Sequence, residues 1–287
     1  MLERIIHSIT GLSVIHSGVL VSVIASIFAA AAIFEITKNF KSPRVAFYTV
    51  IIWAALPIAS VQTLAYSESL FTAFAAWSLL CVIRKKWLAA SLLAAIAGAT
   101  RPTGIAVAAA VMIAIVLYSR NHRVKPDVIA SFLIAPIGWT GYILWVDSQL
   151  PVGSSYFTVA QDWGNSVDGG AAFIQWVSDF FADGNFLAGL GILVGVVALL
   201  ASLVALIKTN APAPLVIYSV IISTLALITS GYFGSKPRYL LPVFPLLIPI
   251  ASWISHHAKS RRLAISISLI AICLAYGTLW LTGSGPL

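Results

Sequence analysis

The chain has 287 residues, 60% of them hydrophobic and 9% charged, with a formal net charge of +8 and a mean hydropathy of +0.99. About a quarter of the residues of a soluble domain are charged, so a globular surface is excluded and a polytopic, all-α membrane protein is indicated. The positive balance does not point to nucleic acid, because the basic residues sort by membrane side.

The first apolar span runs from about Gly11 to Ile36 and is followed by Lys38, Lys41 and Arg44. It is too long for a signal-peptide core, and its positive charges lie at the wrong end for one. The basic flank marks the cytoplasmic side, which puts the N-terminus outside. The next run, Val45 to Ile83, carries no charge except Glu68. At about 1.5 Å per residue, one helix of that length is nearly twice as long as a bilayer core is thick. It must fold back, with Pro57 ending the first limb and the cluster Tyr66-Ser67-Glu68-Ser69 at the turn.

A second hairpin follows: Trp87 to Ala99 outward, a break at Thr100-Arg101-Pro102-Thr103-Gly104, and Ile105 to Tyr118 inward. Val128 to Val146 crosses outward to the longest polar stretch, Asp147 to Asn185. Phe186 to Ile207 returns, Ala213 to Thr229 goes out, Tyr239 to Ile254 comes back, and Leu263 to Leu281 goes out once more. The reading is a single membrane domain over 1–287 with ten crossings and an outer loop at about 147–185.

The charges test this alternation. Of the 17 lysines and arginines, all but Arg4, Arg101, Lys236 and Arg238 fall on the inside, as the positive-inside rule requires. Arg101, Lys236 and Arg238 are therefore informative, and each sits beside a proline. Pro102 disfavours helical geometry at Arg101, and Pro237, Pro242, Pro245 and Pro249 are expected to break the helix that begins at Tyr239. Irregular backbone at membrane depth persists only when buried in protein or lining a wet cavity. Arginine suits a phosphate through its planar fork, and lysine offers a point charge. These residues, with Tyr239, are expected to form an anion site near the outer margin, the alternative being side chains that reach out to lipid headgroups.

Glu68 is the first candidate for function, since a carboxylate at membrane depth needs water, a partner or a ligand; the plainer alternative is a solvated cap of the next helix. In the outer loop, Gln161, Asp162, Trp163 and Asn165 offer hydrogen bonders beside an aromatic platform, a set suited to a sugar; the plainer alternative is an interfacial tryptophan and a solvated acid of an ordinary membrane-protein loop. Cys81 and Cys273 lie inside apolar segments, and the five histidines lack ligand spacing, so neither a metal nor a cofactor is expected.

Four stretches then carry a resemblance: LPIASVQTLAYSESLFTAF, ATRPTGI, YFTVAQDWG and KPRYLLPVFPLL. In this order they resemble motifs of the bacterial relatives of the second mannosyltransferase of GPI-anchor assembly, in the GT-C class of integral-membrane glycosyltransferases. The resemblance implies a polyprenyl-phosphate-linked mannosyl donor, a lipid or glycan acceptor, use on the outer face of a bacterial plasma membrane, and inversion at the anomeric carbon. Taken with the residue chemistry above, acceptor contacts are expected at Tyr66, Ser67, Glu68, Gln161, Asp162 and Trp163, and donor-phosphate contacts at Arg101, Lys236, Arg238 and Tyr239. Members usually begin with one further span and an outer loop bearing the catalytic acid. Met1 to Arg4 resembles the end of that loop, and Glu3 does not match the position of the acid. A fragment, a different start and a non-catalytic scaffold paralogue are the corresponding expectations, and the base is unassigned. A lipid or sugar transporter is disfavoured, because the polar features gather at the outer margin rather than at the midplane.

Overall fold

The computed structural model describes residues 2–233 and 236–282. Gly234 and Ser235, in the expected outer turn before Lys236, lie outside the described residues. Fifteen α-helices follow one another among those residues, in the order α1 (Leu2–Thr10), α2 (Val14–Lys38), α3 (Pro43–Ala54), α4 (Glu68–Ile83), α5 (Trp87–Thr100), α6 (Ile105–Ser119), α7 (Pro126–Ile134), α8 (Ile137–Gln149), α9 (Tyr156–Asp162), α10 (Ala171–Ala182), α11 (Phe186–Lys208), α12 (Ala213–Ile228), α13 (Lys236–Leu240), α14 (Leu247–Ser255) and α15 (Lys259–Thr282). Five units are long and apolar enough to cross a membrane: α2, Pro102–Ser119, Pro126–Gln149, α11 and Lys259–Thr278. The bent pair of α3 and the 3₁₀ turn Pro57–Thr63 makes a sixth, and α4, α5, α12 and Phe244–Ser255 are shorter apolar helices. Each apolar segment read from the sequence overlaps these units, Val45–Ile83 taking in two of them and Tyr239–Ile254 meeting its own only from Phe244.

The basic turns gather at one end. Arg84 pairs with Glu35 at 2.8 Å, joining the ends of α2 and α4, and Lys41 donates to the Thr209 carbonyl at 3.3 Å, joining the turn after α2 to the end of α11. At the other end α3 bends by 81° into the 3₁₀ turn, Pro57 opens that turn, and the chain re-enters at Glu68 as the first residue of α4. The hairpin expected from its length and from Pro57 is thus present.

Small side chains let the core helices approach. Ala73, Ala75 and Ala76 of α4, Ala90, Ala94 and Ala97 of α5, and Ala106, Ala108 and Ala110 of α6 are all buried. In a membrane such residues allow close van der Waals packing, the main attraction left between helices when lipid and side chain are equally apolar. The crossing of α5 and α8 is the closest case: a Cβ built on Gly138 would lie 1.6 Å from the Ala95 carbonyl oxygen. By contrast α11 buries only Gly189 and Leu206, and its exposed leucines and valines form an apolar surface suited to lipid.

The proline-rich stretch after α13 is broken as expected, with one correction. The helix stops at Leu240 and the chain passes through a 3₁₀ turn, Phe244–Leu246, before α14. Protein groups satisfy the freed carbonyls: Trp53 Nε1 donates to Leu241 O at 3.1 Å and the Tyr218 hydroxyl to Pro242 O at 3.0 Å. Pro249 does not break α14, because it falls in the first turn, where the backbone N–H groups have no helical partner to lose.

Candidate active site

The start of α4, the end of α5 and α13 bring three charged side chains together at the end of the bundle opposite the basic turns. Pro102 terminates α5, leaving Arg101 extended at φ −151° and ψ 148°. Its Nη1 then reaches Glu68 Oε1 at 2.8 Å. Arg238 approaches the same oxygen from α13, with Nη2 at 2.6 Å and Nε at 2.9 Å. Glu68 is fully buried, while the arginine side chains keep 14% and 15% of their surface exposed. A buried charge is tolerable only when paired and hydrogen-bonded, and one carboxylate between two guanidiniums leaves the cluster with a net positive charge. The Tyr66 ring lies 4.0 Å from the Arg238 guanidinium carbon and the Tyr239 ring 5.8 Å from that of Arg101, both within cation–π range. Ser67 Oγ accepts from Arg101 Nη1 at 3.3 Å.

This arrangement corrects the plainer alternative for Glu68. The residue is buried rather than solvated, and its carboxylate is taken by the arginines. Neither is the Arg101 or Arg238 side chain directed out to the headgroups, since each is held on Glu68.

A cavity of about 1000 Å³ opens beside the cluster, with Ser67, Arg101, Arg238 and Tyr239 in its wall. Trp139, Tyr142 and Val146 of α8 form one side, Tyr156, Phe157 and Gln161 of α9 another, and Leu225, Thr229 and Ser230 close it from α12 and the turn that follows. Trp139 Nε1 donates to the Pro102 carbonyl at 2.9 Å, fixing the tryptophan to the break that carries Arg101. Tyr142 and Tyr156 meet edge to face at 6.1 Å. Burial, with Tyr142 and Tyr239 nearby, pushes the Tyr156 phenol above its usual range. The aromatic lining suits an apolar chain or a sugar face, and the two guanidiniums put positive charge in the same wall.

The polar stretch after α8 is anchored at its start and again midway. Ser155 and Thr158 form a capping box at the start of α9, and Asp147 Oδ1 accepts from Tyr156 N at 2.6 Å. Further on, Ser166 N donates to Ser230 Oγ at 2.8 Å, and Asp168 accepts from Gly170 N at 2.9 Å and Ala172 N at 2.8 Å. Those backbone donors hold its carboxyl below the usual range.

The expected site residues are not all brought together. Arg101, Arg238, Tyr239, Ser67, Gln161 and Trp163 line the cavity, Glu68 and Tyr66 lie behind the arginines, and Asp162 is exposed and outside the lining. Lys236 departs from the expected phosphate contact: its ammonium donates to Ala226 O at 3.0 Å and to Thr229 O and does not line the cavity. Glu3 packs over Gly18 and is likewise absent from the lining. Trp139, Tyr142 and Val146 went unread in the sequence, although their spacing of three and four puts them on one helix face.

No curated protein matches the chain. Its fold is similar to the crystal structure of ArnT from Cupriavidus metallidurans bound to undecaprenyl phosphate, at a TM-score of 0.60 and 16% identity over 97% of this chain and 53% of that one. The chain thus spans about half the length of that protein. Residues 2–145 match the family described as dolichyl-phosphate-mannose-protein mannosyltransferase; this is half of the chain and includes the Glu68–Arg101 pair, and the chain belongs to that family.

Proposed function

We propose that the chain is an integral-membrane glycosyltransferase of the GT-C type, or most of one, that takes a sugar from a polyprenyl-phosphate donor on the extracytoplasmic face. The observation that carries this reading is the convergence of Arg101 and Arg238, far apart in sequence, on one buried carboxylate beside an aromatic-walled cavity. Family membership and the undecaprenyl phosphate bound to the structurally similar ArnT support a donor of this class. Mannose is the sugar the motif resemblance favours, and a GPI-type mannosyltransferase is the finer form of the reading.

In the reaction the acceptor hydroxyl oxygen attacks the anomeric carbon as the bond from that carbon to the phosphate oxygen breaks. The electron pair leaves with the phosphate, where negative charge develops. Guanidiniums already fixed at that point stabilise the transition state without having to reorganise. Gln161 and Trp163, in the lining of the same cavity, are assigned to the acceptor in this reading, and Tyr239 to the phosphate. The group that removes the hydroxyl proton is left open.

Binding of undecaprenyl phosphate to the purified protein in nanodiscs tests the assignment. Arg238→Ala should weaken it roughly tenfold or more, the scale of a hydrogen bond to a charged group. Arg238→Lys should recover only part of the loss, because the bidentate fork is gone. Unchanged affinity in Arg238→Ala would sink the phosphate reading.

The proposed sidedness makes its own prediction. A reporter inserted after Lys86 should behave as cytoplasmic, and one inserted in the outer loop at Gly153, or fused at the N-terminus of this chain, as extracytoplasmic. The reverse pattern would put Glu68 and Arg238 on the wrong face for an outward-facing sugar.

A further inference from the structure

Lys236 was expected at the phosphate and is found elsewhere, in a place that suggests another use. Its side chain is 7% exposed and turns away from the cavity to the C-terminal end of α12. There Nζ donates to Ala226 O at 3.0 Å and to Thr229 O. The last carbonyls of a helix have no partner inside it, and a cation there also complements the helix dipole. The outer loop uses the same helix end, since Asp168 N donates to Ile228 O at 3.0 Å and Ser230 N to Ser166 O at 2.7 Å. Burial draws the Lys236 ammonium below its usual range, and the Asp168 charge works in the opposite direction.

The segment that Lys236 opens cannot hold its own shape. α13 has five residues, far below the length at which a helix is stable alone, so its orientation comes from its anchors. On the C-terminal side these are the bonds from Trp53 to Leu241 O and from Tyr218 to Pro242 O. On the N-terminal side the anchor is Lys236. Arg238 lies between them, and its two nitrogen contacts on Glu68 Oε1 depend on where α13 sits.

We infer that Lys236 is a positioning residue, which ties α13 to the end of α12 where the outer loop is also fastened and so aims Arg238 at the donor's phosphate. It acts through Arg238 and not by touching the ligand. The inference rests on the phosphate reading above and adds to it a residue with no contact to the cavity.

A double-mutant cycle decides the matter, with undecaprenyl phosphate in nanodiscs as the probe. Lys236→Met keeps the length and apolar stem and removes the donors and the charge. It should weaken binding about tenfold, within the range of couplings seen between residues of one network. In an Arg238→Ala background the same change should cost nothing further, because the group it aims is gone. Losses that multiply in the double variant would mean that Lys236 acts independently of Arg238, and would overturn the inference. So would wild-type binding in Lys236→Met alongside weakened binding in Arg238→Ala, an outcome that leaves the phosphate reading intact. Unchanged binding in Arg238→Ala would instead remove that reading and the inference with it. If Lys236→Met is not recovered from the membrane, Lys236→Gln keeps one amide donor for the carbonyls and carries the same comparison, with a smaller expected loss.

Discussion

Glu68→Gln is expected to abolish sugar transfer while leaving membrane insertion and expression near normal. The carboxylate is fully buried and takes all three short nitrogen contacts on one oxygen. The amide keeps the shape and one accepting oxygen but removes the only negative charge in the cluster. Two guanidiniums then face each other without a counter-ion, and one amide N–H must point at a cation or into apolar surroundings. Removing one partner of a buried ion pair typically costs about 3–5 kcal/mol, because the charge left behind is uncompensated. The cluster can lower that cost by letting one arginine swing into the cavity, which moves it off the phosphate. Either response removes the fixed pair of cations on which the proposed transition-state stabilisation depends. The measurement is transfer from a polyprenyl-phosphate-linked sugar by membranes carrying the variant, beside protein level and reporter topology. A helix cap would behave otherwise, since a neutral side chain caps nearly as well. Near-normal turnover in Glu68→Gln would reduce the Tyr66–Ser69 cluster to a turn.

Part of this arrangement is legible in the amino-acid sequence, for identifiable reasons. A lone acid in a 39-residue apolar run, Val45 to Ile83, needs water, a partner or a ligand, and the basic residues beside prolines stand out against the charge pattern of the rest of the chain. The extended backbone of Arg101 followed from Pro102, a local effect that sequence carries well. What was not legible depends on tertiary placement. Lys236 and Arg238 are two residues apart in one short helix, yet one binds helix carbonyls and the other a carboxylate. That split is decided by where α12 ends, which no local signal reports. Asp162 reads like its neighbours Gln161 and Trp163 but closes α9 on the side away from the cavity. Pro249 reads as a breaker by type, and its tolerance comes from where α14 begins. The aromatic face of α8 was visible as a spacing, but only its contact with the Arg101 break gives it a function.

The tight crossing of α5 and α8 supplies the second large expectation, and it comes with an internal control. Gly138 sits where an added Cβ would be 1.6 Å from Ala95 O and 2.4 Å from its carbonyl carbon. Both are backbone atoms of a helix interior, so no side chain can swing aside to make room. Gly98 of α5 is constrained too, though less severely, its own Cβ position lying 2.8 Å from the Trp139 nitrogen. Gly138→Ala must therefore push the two helices apart. Overpacking costs about 1–3 kcal/mol, sometimes more, and the upper part of that range is expected where backbone meets backbone. The displacement also has a functional cost, because the next residue, Trp139, holds the Pro102 carbonyl at 2.9 Å and with it the break that presents Arg101. Gly141 lies one turn further along the same helix, and a Cβ there meets nothing within 4 Å. Gly141→Ala should leave thermal stability unchanged or slightly raised, since alanine is the better helix former. The measurement is the thermal aggregation midpoint of each purified variant in detergent, together with its affinity for undecaprenyl phosphate. Gly138→Ala should lower both and Gly141→Ala neither. Equal behaviour of the two would mean that the α5–α8 contact is looser than its glycines imply, and that Arg101 does not depend on it.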